Sequence, residues 1–254
     1  MRTIMSIILL ASSLSAQMLV PIVAGTEPAA GGTVTFSSVA TGYSYGGGAG
    51  PVPTNATVGT GLTNSAVVVL LAWEGVNPVG SDTAGTLPAS ATYNGHAMTQ
   101  LWNARNTLGS LAYGGSSAWI YANGTGDGTA HPAAVTLGFT TYSARLDVLV
   151  FGGVNQSTPN RTCPTVVTAD TSSGSASITV ANAVSGDMVV DGMNISGSAT
   201  GVTSTKTSRK LTFDGNNVTG ATSTAAATGS TAMGYTFAAS EKMVTLGACA
   251  LIPQ

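Results

Sequence analysis

The pair Asn94-Gly95 lies between two runs of residues within the segment 91–102, and each run carries apolar side chains. Both residues of this dipeptide accept the positive φ angles that a type I′ turn requires, so the pair is a strong signal for a two-residue β-hairpin. No stretch of ten or more residues has apolar positions at helical spacing. The chain is therefore predicted to be a β protein, with one strand ending and the next beginning at this turn.

Runs of β-branched residues, separated by Gly, Asn, Pro and Ser, recur along the chain and predict a dozen or so short strands. Residues 66–73 are almost continuously apolar, which indicates a central strand covered on both faces. Residues 43–63 are predicted as a Gly/Pro-rich loop, and residues 196–230 as a mobile or partner-facing excursion. The fold class is all-β, an antiparallel β-sandwich of jelly-roll or Ig-like type with Gly/Ser/Thr-rich loops, formed by residues 31–254. The other predicted strands are 32–38, 117–122, 133–139, 146–151, 175–181, 188–195, 232–237 and 243–252.

The N-terminal apolar segment, residues 1–30, has two interpretations. Met1-Arg2 is followed by an apolar run over 3–10 and by small residues through Ala16, which is the pattern of a secretory signal peptide cleaved after Ala16. Alternatively the segment is retained as an extended arm that packs on a neighbouring molecule. The apolar run is too short and too interrupted by Ser to span a bilayer, so no membrane span is predicted.

The low content of charged residues and the small net charge limit the classes of partner that the chain can bind. Charged residues make up 7% of the chain, against about 25% in ordinary soluble domains. The formal net charge of −2 gives no electrostatic footprint for nucleic acid. A surface rich in hydroxyls and small residues is typical of exported or particle-bound proteins.

The chain has two cysteines, Cys163 and Cys249. They form either a disulfide that closes a long loop or two buried free thiols, and the sequence leaves both alternatives open. No CxxC motif or Cys/His cluster is present, so no structural zinc site is predicted.

Hydrolase chemistry has few candidate residues. Ser44 lies in a G-x-S-x-G pattern, but the residues after it are Gly, Ala and Pro and cannot begin the helix that a nucleophile elbow needs, so a Gly-rich loop is predicted. His96 and His131 are expected at exposed loop ends. A pairing of either histidine with Asp82 or Asp127 stays open, but no spacing calls for it, and no catalytic triad is predicted.

The candidates for a metal site are acidic residues, and those for a sugar site are tryptophans. Asp127 in the Gly-rich segment 124–129 is a single carboxylate, so a β-turn is favoured over a calcium loop. Asp187 and Asp191 would share one face of a strand and are expected to face solvent. No catalytic, cofactor-binding or metal residue and no cofactor are predicted. Core packing is favoured over sugar stacking for the three tryptophans, Trp73, Trp102 and Trp119.

A series of segments resembles a diffuse family of β-sandwich domains found in tailed-bacteriophage virion proteins and in bacterial secreted proteins. Its marks are a "TYxGxAMT" hairpin, here Thr-Tyr-Asn-Gly-His-Ala-Met-Thr, and a "GVxQxTP" turn, here Gly-Val-Asn-Gln-Ser-Thr-Pro. The similarity covers roughly residues 30–252. The segments that carry the resemblance are 31–42, 67–73, 92–99, 118–121, 124–129, 148–159 and 185–191.

The resemblance implies a non-enzymatic virion structural protein of a bacteriophage: a capsid decoration, head-fibre or tail accessory protein that binds a protein lattice. Its implied partners are other virion proteins or further copies of this chain in a homo-oligomer, and its localisation is the virion. The alternative is a secreted, extracellular bacterial adhesion or carbohydrate-binding module that contacts a cell-surface glycan. The motifs are turn and strand signatures, and fold analogy alone says little about activity.

Overall fold

The computed structural model describes residues 32–48, 50–75, 87–108, 112–169, 174–196, 199–213, 218–238 and 243–254. The predicted N-terminal segment 1–30 lies outside these residues. Every regular element among them is a strand, which confirms the all-β prediction. In chain order the strands are β1 (Thr35–Gly48), β2 (Val52–Thr57), β3 (Ser65–Gly75), β4 (Ser90–Tyr93), β5 (His96–Ala97), β6 (Thr99–Leu108), β7 (Ala112–Gly124), β8 (Ala130–Thr136), β9 (Thr141–Gly152), β10 (Thr165–Ala169), β11 (Ser175–Val180), β12 (Met188–Ser196), β13 (Thr203–Ser204), β14 (Thr207–Phe213), β15 (Val218–Ala226), β16 (Thr231–Thr236) and β17 (Met243–Leu251).

The strands form four antiparallel sheets. The first inner sheet has the order β1-β9-β3-β7-β6, and the first outer sheet has the order β2-β8-β4-β5. The second inner sheet has the order β10-β17-β12-β15-β14, and the second outer sheet has the order β11-β16-β13. One sandwich is predicted for residues 31–254, whereas the sheets divide along the chain into an N-terminal sandwich (β1–β9) and a C-terminal sandwich (β10–β17).

Three apolar cores separate the four layers. One lies between the first inner and outer sheets around Trp73 and Trp119, and one lies between the second inner and outer sheets around Met193 and Tyr235. The third joins the two inner sheets face to face. Strand β3 supplies both neighbouring cores, because its alternate residues point to opposite faces, and it lies between β9 and β7. The prediction of a central strand over 66–73 is therefore confirmed.

The two sandwiches have the same topology. The order of the first inner sheet becomes that of the second when β1, β9, β3, β7 and β6 are replaced by β10, β17, β12, β15 and β14. The outer sheets correspond in the same way, with β2, β8 and β4 replaced by β11, β16 and β13, and β5 has no counterpart. Between the inner sheets, β3 contacts β12, β9 contacts β15, β7 contacts β17 and β6 contacts β10. This replacement maps the β3–β12 contact onto itself and exchanges the β9–β15 contact with the β7–β17 contact, as a two-fold axis between β3 and β12 would. The sandwiches are thus arranged like the subunits of an isologous dimer.

The Asn94-Gly95 hairpin forms as predicted. Asn94 has φ 49° and Gly95 has φ 75°, and the turn joins β4 to β5. Two predicted irregular regions are wrong. Within 43–63, β1 continues through Gly48 and β2 follows, because ladders with β9 and β8 give these Gly- and Pro-containing residues backbone partners. Within 196–230, β14 and β15 are strands of the second inner sheet, and most of β15 is buried.

The linker between the sandwiches, residues 153–164, is held along its length by the C-terminal residues. Backbone bonds run from Asn155 N to Ile252 O (2.8 Å), from Arg161 N to Ala250 O (2.9 Å) and from Gln254 N to Gly153 O (2.9 Å). The "GVxQxTP" segment is the first half of this linker. In this chain the segment therefore has a structural role.

Gln156 fixes the linker to the N-terminal sandwich. Its side-chain amide donates to Ser65 O (3.2 Å) at the start of β3, and its carbonyl oxygen accepts from Gly124 N (2.9 Å) at the end of β7. At the other end of the linker, Cys163 is joined to Cys249 in β17 by a disulfide. The structure thus selects the disulfide over free thiols.

Candidate functional site

Five side chains meet at one open end of the N-terminal sandwich, and we call them the His–Tyr cluster: Tyr93, His96, Tyr121, Asp127 and His131. Tyr93 and His96 are opposite each other on β4 and β5, next to the hairpin turn, and His131 lies on the neighbouring strand β8. Tyr121 comes from β7 of the inner sheet, and Asp127 from the loop between β7 and β8. The cluster therefore closes the gap between the inner and outer sheets where the core ends.

The rings of the cluster form a continuous series of contacts. His96 stacks on Tyr121 with ring centroids 5.4 Å apart and planes 8° from parallel. Tyr121 contacts Tyr93 (6.0 Å between centroids), and Tyr93 meets the His131 ring edge to face (5.9 Å). Tyr93 is fully buried and donates its hydroxyl to Ala56 O, and burial raises its pKa. His96 is exposed, so the series runs from the core to the surface.

Asp127 and His131 form the polar side of the cluster. The Nε2 of His131 lies 2.8 Å from Oδ2 of Asp127, while Oδ1 accepts a hydrogen bond from Thr129 N (2.8 Å). The Thr129 bond and the His131 bond lower the pKa of Asp127, so the carboxylate is ionised at neutral pH. The structure thus forms one of the two pairings that the sequence left open, and the Thr129 bond is of the turn type expected for this loop. Asp82 lies outside the described residues.

The structure gives Ser44 no nucleophile elbow. Ser44 lies within β1, opposite Ala144 of β9, where the sequence predicts a Gly-rich loop. An elbow needs a strand-to-helix turn that exposes the serine, and the described part of the chain around it is a β-ladder. Within the described ranges, no group of three or more His, Cys, Asp or Glu side chains lies close enough to hold a metal ion.

A buried ion pair, Arg145 with Asp147, lies between the two inner sheets. Arg145 Nε is 3.2 Å from Asp147 Oδ1, and the guanidinium also bonds to Asp147 Oδ2 and to Gly220 O on β15 of the facing sheet. Thr41 donates a hydrogen bond to Asp147 Oδ1 (2.8 Å). Burial raises the pKa of Asp147, although the adjacent Arg145 opposes this shift. The pair therefore joins β1, β9 and β15 across the interface.

A second buried carboxylate, Asp191 on β12, lies between the second inner and outer sheets. It accepts hydrogen bonds from Tyr235 Oη (2.6 Å), from Ser223 N (2.7 Å) and from Ser223 Oγ (2.9 Å). Burial raises the pKa of Asp191 to about 7, and burial beside that carboxylate raises the pKa of Tyr235 well above its usual value. Asp187, just before β12, is also buried and pairs with Arg161 of the linker (2.6 Å). The expectation that Asp187 and Asp191 face solvent is wrong, since both carboxylates bond within the protein.

The tryptophans are core residues, as predicted. Trp73, Trp102 and Trp119 are between 0% and 3% exposed, so none of them offers a face to a sugar. The indole of Trp102 crosses from β6 to the second inner sheet, where it rests against Gly192 and Gly247, which are paired on β12 and β17. Its Nε1 donates to Ser116 Oγ (3.1 Å), and Ser116 donates in turn to Gly192 O (2.8 Å).

A small cavity adjoins the buried ion pair between the inner sheets. Its volume is about 10 Å³, and it is bounded by Arg145, Asp147, Gly220 and Thr222, among other residues. A volume of this order holds about one water molecule, so it is too small for an organic ligand. The Arg145–Asp147 pair therefore has a structural role, whereas the His–Tyr cluster includes exposed side chains that a ligand can reach.

Comparisons with protein-family models, with curated proteins and with solved structures gave no match. Among the described residues, no helix has the length and hydrophobicity needed to cross a membrane. Sequence reasoning considered His96, His131 and Asp127 but missed Tyr93 and Tyr121, because ladder register and sheet packing bring them together from distant segments. The one available signal was the position of Tyr93 and His96 beside the Asn-Gly turn.

Proposed function

We propose that this chain is a non-enzymatic virion structural protein of a bacteriophage, acting as a capsid decoration, head-fibre or tail accessory protein that binds a protein lattice. The observation that carries the proposal is that the buried charged side chains and the two cysteines of the chain form bonds that join its strands and sheets. Arg145, Asp147, Asp187 and Asp191 bond within the protein, and the disulfide closes the C-terminal sandwich. Such internal bonding suits a rigid structural unit of an assembled particle.

Exposed sheet edges supply the means of attachment in this proposal. Within the described ranges, β6 and β14 are edge strands of the two inner sheets, so one side of each ladder has no strand partner. Edge strands offer unpaired N–H and C=O groups, and they are common docking sites for another chain. Lattice proteins and further copies of this chain are the proposed partners. The virion is the proposed location.

Density-gradient fractionation of particles from the natural source, with mass spectrometry of each fraction, tests this function. We expect the chain to migrate with the main shell or tail protein at a fixed copy ratio through two successive gradients. The purified chain, added back to particles depleted of it, should rebind to the same ratio, and an unrelated β-sandwich protein should not. A chain that stays at the top of the gradient and does not rebind would contradict the proposal.

A secreted bacterial adhesion or carbohydrate-binding module is the second candidate function, and two observations favour it. Disulfides persist in oxidising compartments, and Cys163–Cys249 is such a bond. In addition, the exposed His96 stacks on Tyr121, and the exposed Asp127 carboxylate belongs to the same cluster through His131 and Tyr93. Under this candidate the chain is extracellular, and it is found in culture medium or on the cell surface without particles.

A further inference from the structure

We propose that the His–Tyr cluster binds a neutral glycan, with one pyranose ring stacked on His96 and with Asp127 and His131 as hydrogen-bonding groups for hydroxyls of the same glycan. The inference rests on the second candidate function, and it names the site that this function would use. It does not depend on lattice binding, because the sugar would meet side chains of the cluster, whereas lattice attachment would use backbone groups along the edge strands; the cluster adjoins only Thr99, the first residue of β6.

The His96 ring is stacked within the protein on one face, and the residue is exposed. Tyr121 stacks on it nearly in parallel, at 8° and 5.4 Å, and covers one side of the imidazole. The residue is nevertheless exposed, so we infer that the opposite face of the ring is the one that meets a sugar. A flat ring can pack against the apolar face of a pyranose, which presents C–H groups.

The stacking surface is held in place before a ligand arrives. Tyr121 is supported by Tyr93, which is fully buried and bonded through its hydroxyl to Ala56 O. His96 itself lies on the short strand β5, opposite Tyr93 in the ladder. A surface that is already ordered loses little conformational entropy on binding.

The hydrogen-bonding groups are accessible and oriented. The side chain of Asp127 is 56% exposed and that of His131 is 20% exposed. Each carboxylate oxygen of Asp127 accepts one bond within the protein, from Thr129 N or from the His131 ring, and it keeps a lone pair for a further donor. Sugar hydroxyls are donors of this kind. Because the carboxylate is ionised, it favours a neutral sugar over a sulfated, phosphorylated or acidic one.

The two histidines make the site directly observable, since His96 and His131 are the only ones in the chain. Imidazole resonances in ¹H–¹⁵N spectra can therefore be assigned from single variants. The probes are cellohexaose, maltohexaose, mannohexaose and N-acetylchitohexaose, each titrated to about 10 mM, well above a Kd of about 1 mM. Calorimetry on the full chain gives the affinities.

We expect at least one probe to shift both imidazoles, and His96→Ala and Asp127→Asn each to weaken its binding by about tenfold or more, which is about 1.4 kcal/mol. The matched control is Tyr142→Ala. Tyr142 is 52% exposed and lies near the start of β9, whereas the Tyr121 end of the sheet adjoins Val150 near the end of that strand. This control should bind as the wild type does. Amide spectra of every variant establish that the fold is kept.

Three results would overturn the inference. No imidazole shift with any of the four probes excludes a neutral-glycan site. Equal affinity of wild type and His96→Ala places the sugar elsewhere. Binding that survives Asp127→Asn unchanged removes the hydrogen-bonding role assigned to the carboxylate. None of these results bears on the gradient experiment, which measures attachment to particles.

Discussion

Removal of the Cys163–Cys249 disulfide should destabilise the C-terminal sandwich strongly. The bond joins residues 86 apart, and this loop begins just before β10 and ends within β17, so it contains nearly all of that sandwich. Closing a loop of this length lowers the entropy of the unfolded chain. The chain-entropy relation gives about 4–5 kcal/mol at 25 °C, and for a protein of this size that corresponds to a fall in Tm of about 10–20 °C.

Guanidinium and thermal unfolding of three samples measure this effect: oxidised wild type, wild type in dithiothreitol, and Cys163→Ser. The half-buried Cys163 is the better position for substitution, because Cys249 is fully buried between the inner sheets. Reduced wild type and Cys163→Ser should unfold at the same lower midpoint. The slope of ΔG against denaturant should rise in both, because the uncrosslinked unfolded chain exposes more surface.

Dithiothreitol added to Cys163→Ser is the control, and it should change nothing. A loss of stability below about 1 kcal/mol, far under the value for a loop of this length, would refute the reasoning. It would mean that residual structure in the unfolded chain already restricts this loop about as much as the bond does. A large loss in reduced wild type without one in Cys163→Ser would point to damage by the reductant.

Three further predictions concern the interior. Gly247→Ala should lower the free energy of unfolding by about 1–3 kcal/mol, because the new methyl group collides with the Trp102 indole. The control is Gly50→Ala, whose methyl group meets no other atom, and it should be near neutral in the same urea titration. Wild-type stability should fall as pH rises from about 4 to about 7, because the raised pKa keeps Asp191 protonated in the folded state while the same carboxyl ionises in the unfolded state. This contribution is about 4 kcal/mol, and Asp191→Asn should lack it. Urea unfolding midpoints of both proteins across this pH range test the prediction. Gln156→Ala should lose about 1–3 kcal/mol in calorimetry because it leaves its backbone partners on β3 and β7 unpaired, and an unchanged Tm would contradict the linker's role.

Local signals in the sequence predicted the local structure well. The Asn94-Gly95 turn depends on two residues and their φ angles, so the dipeptide was sufficient to locate it. The apolar run of β3 likewise indicated a central strand, and the three tryptophans were correctly assigned to the core. These features need no information about distant parts of the chain.

Features set by distant pairing were not predictable in the same way. Strand β15 consists largely of Thr, Ser, Gly and Ala, and it is buried because β12 and β14 flank it and Arg145 covers Gly220. The same polar composition on an exposed segment indicates a loop, so the prediction for 196–230 was wrong. Asp191 is buried for a similar reason, since its hydrogen-bond donors come from β15 and β16. The shared topology of the two sandwiches was also hidden, since the sequence shows no exact internal repeat.

The strand order has a consequence for synthesis of the chain. In each inner sheet the strand that comes first along the chain pairs with the strand that comes last, β1 with β9 and β10 with β17. Neither sheet can therefore be completed until its final strand has left the ribosome. The N-terminal sandwich is complete at Gly152, whereas the face that covers its Leu70, Leu149 and Phe151 is finished only at Leu251. Nascent chains therefore carry an uncovered apolar face while residues 153–251 are translated, and such faces aggregate or recruit chaperones. Slow translation of the second half should lower the yield of this protein more than slow translation of the first.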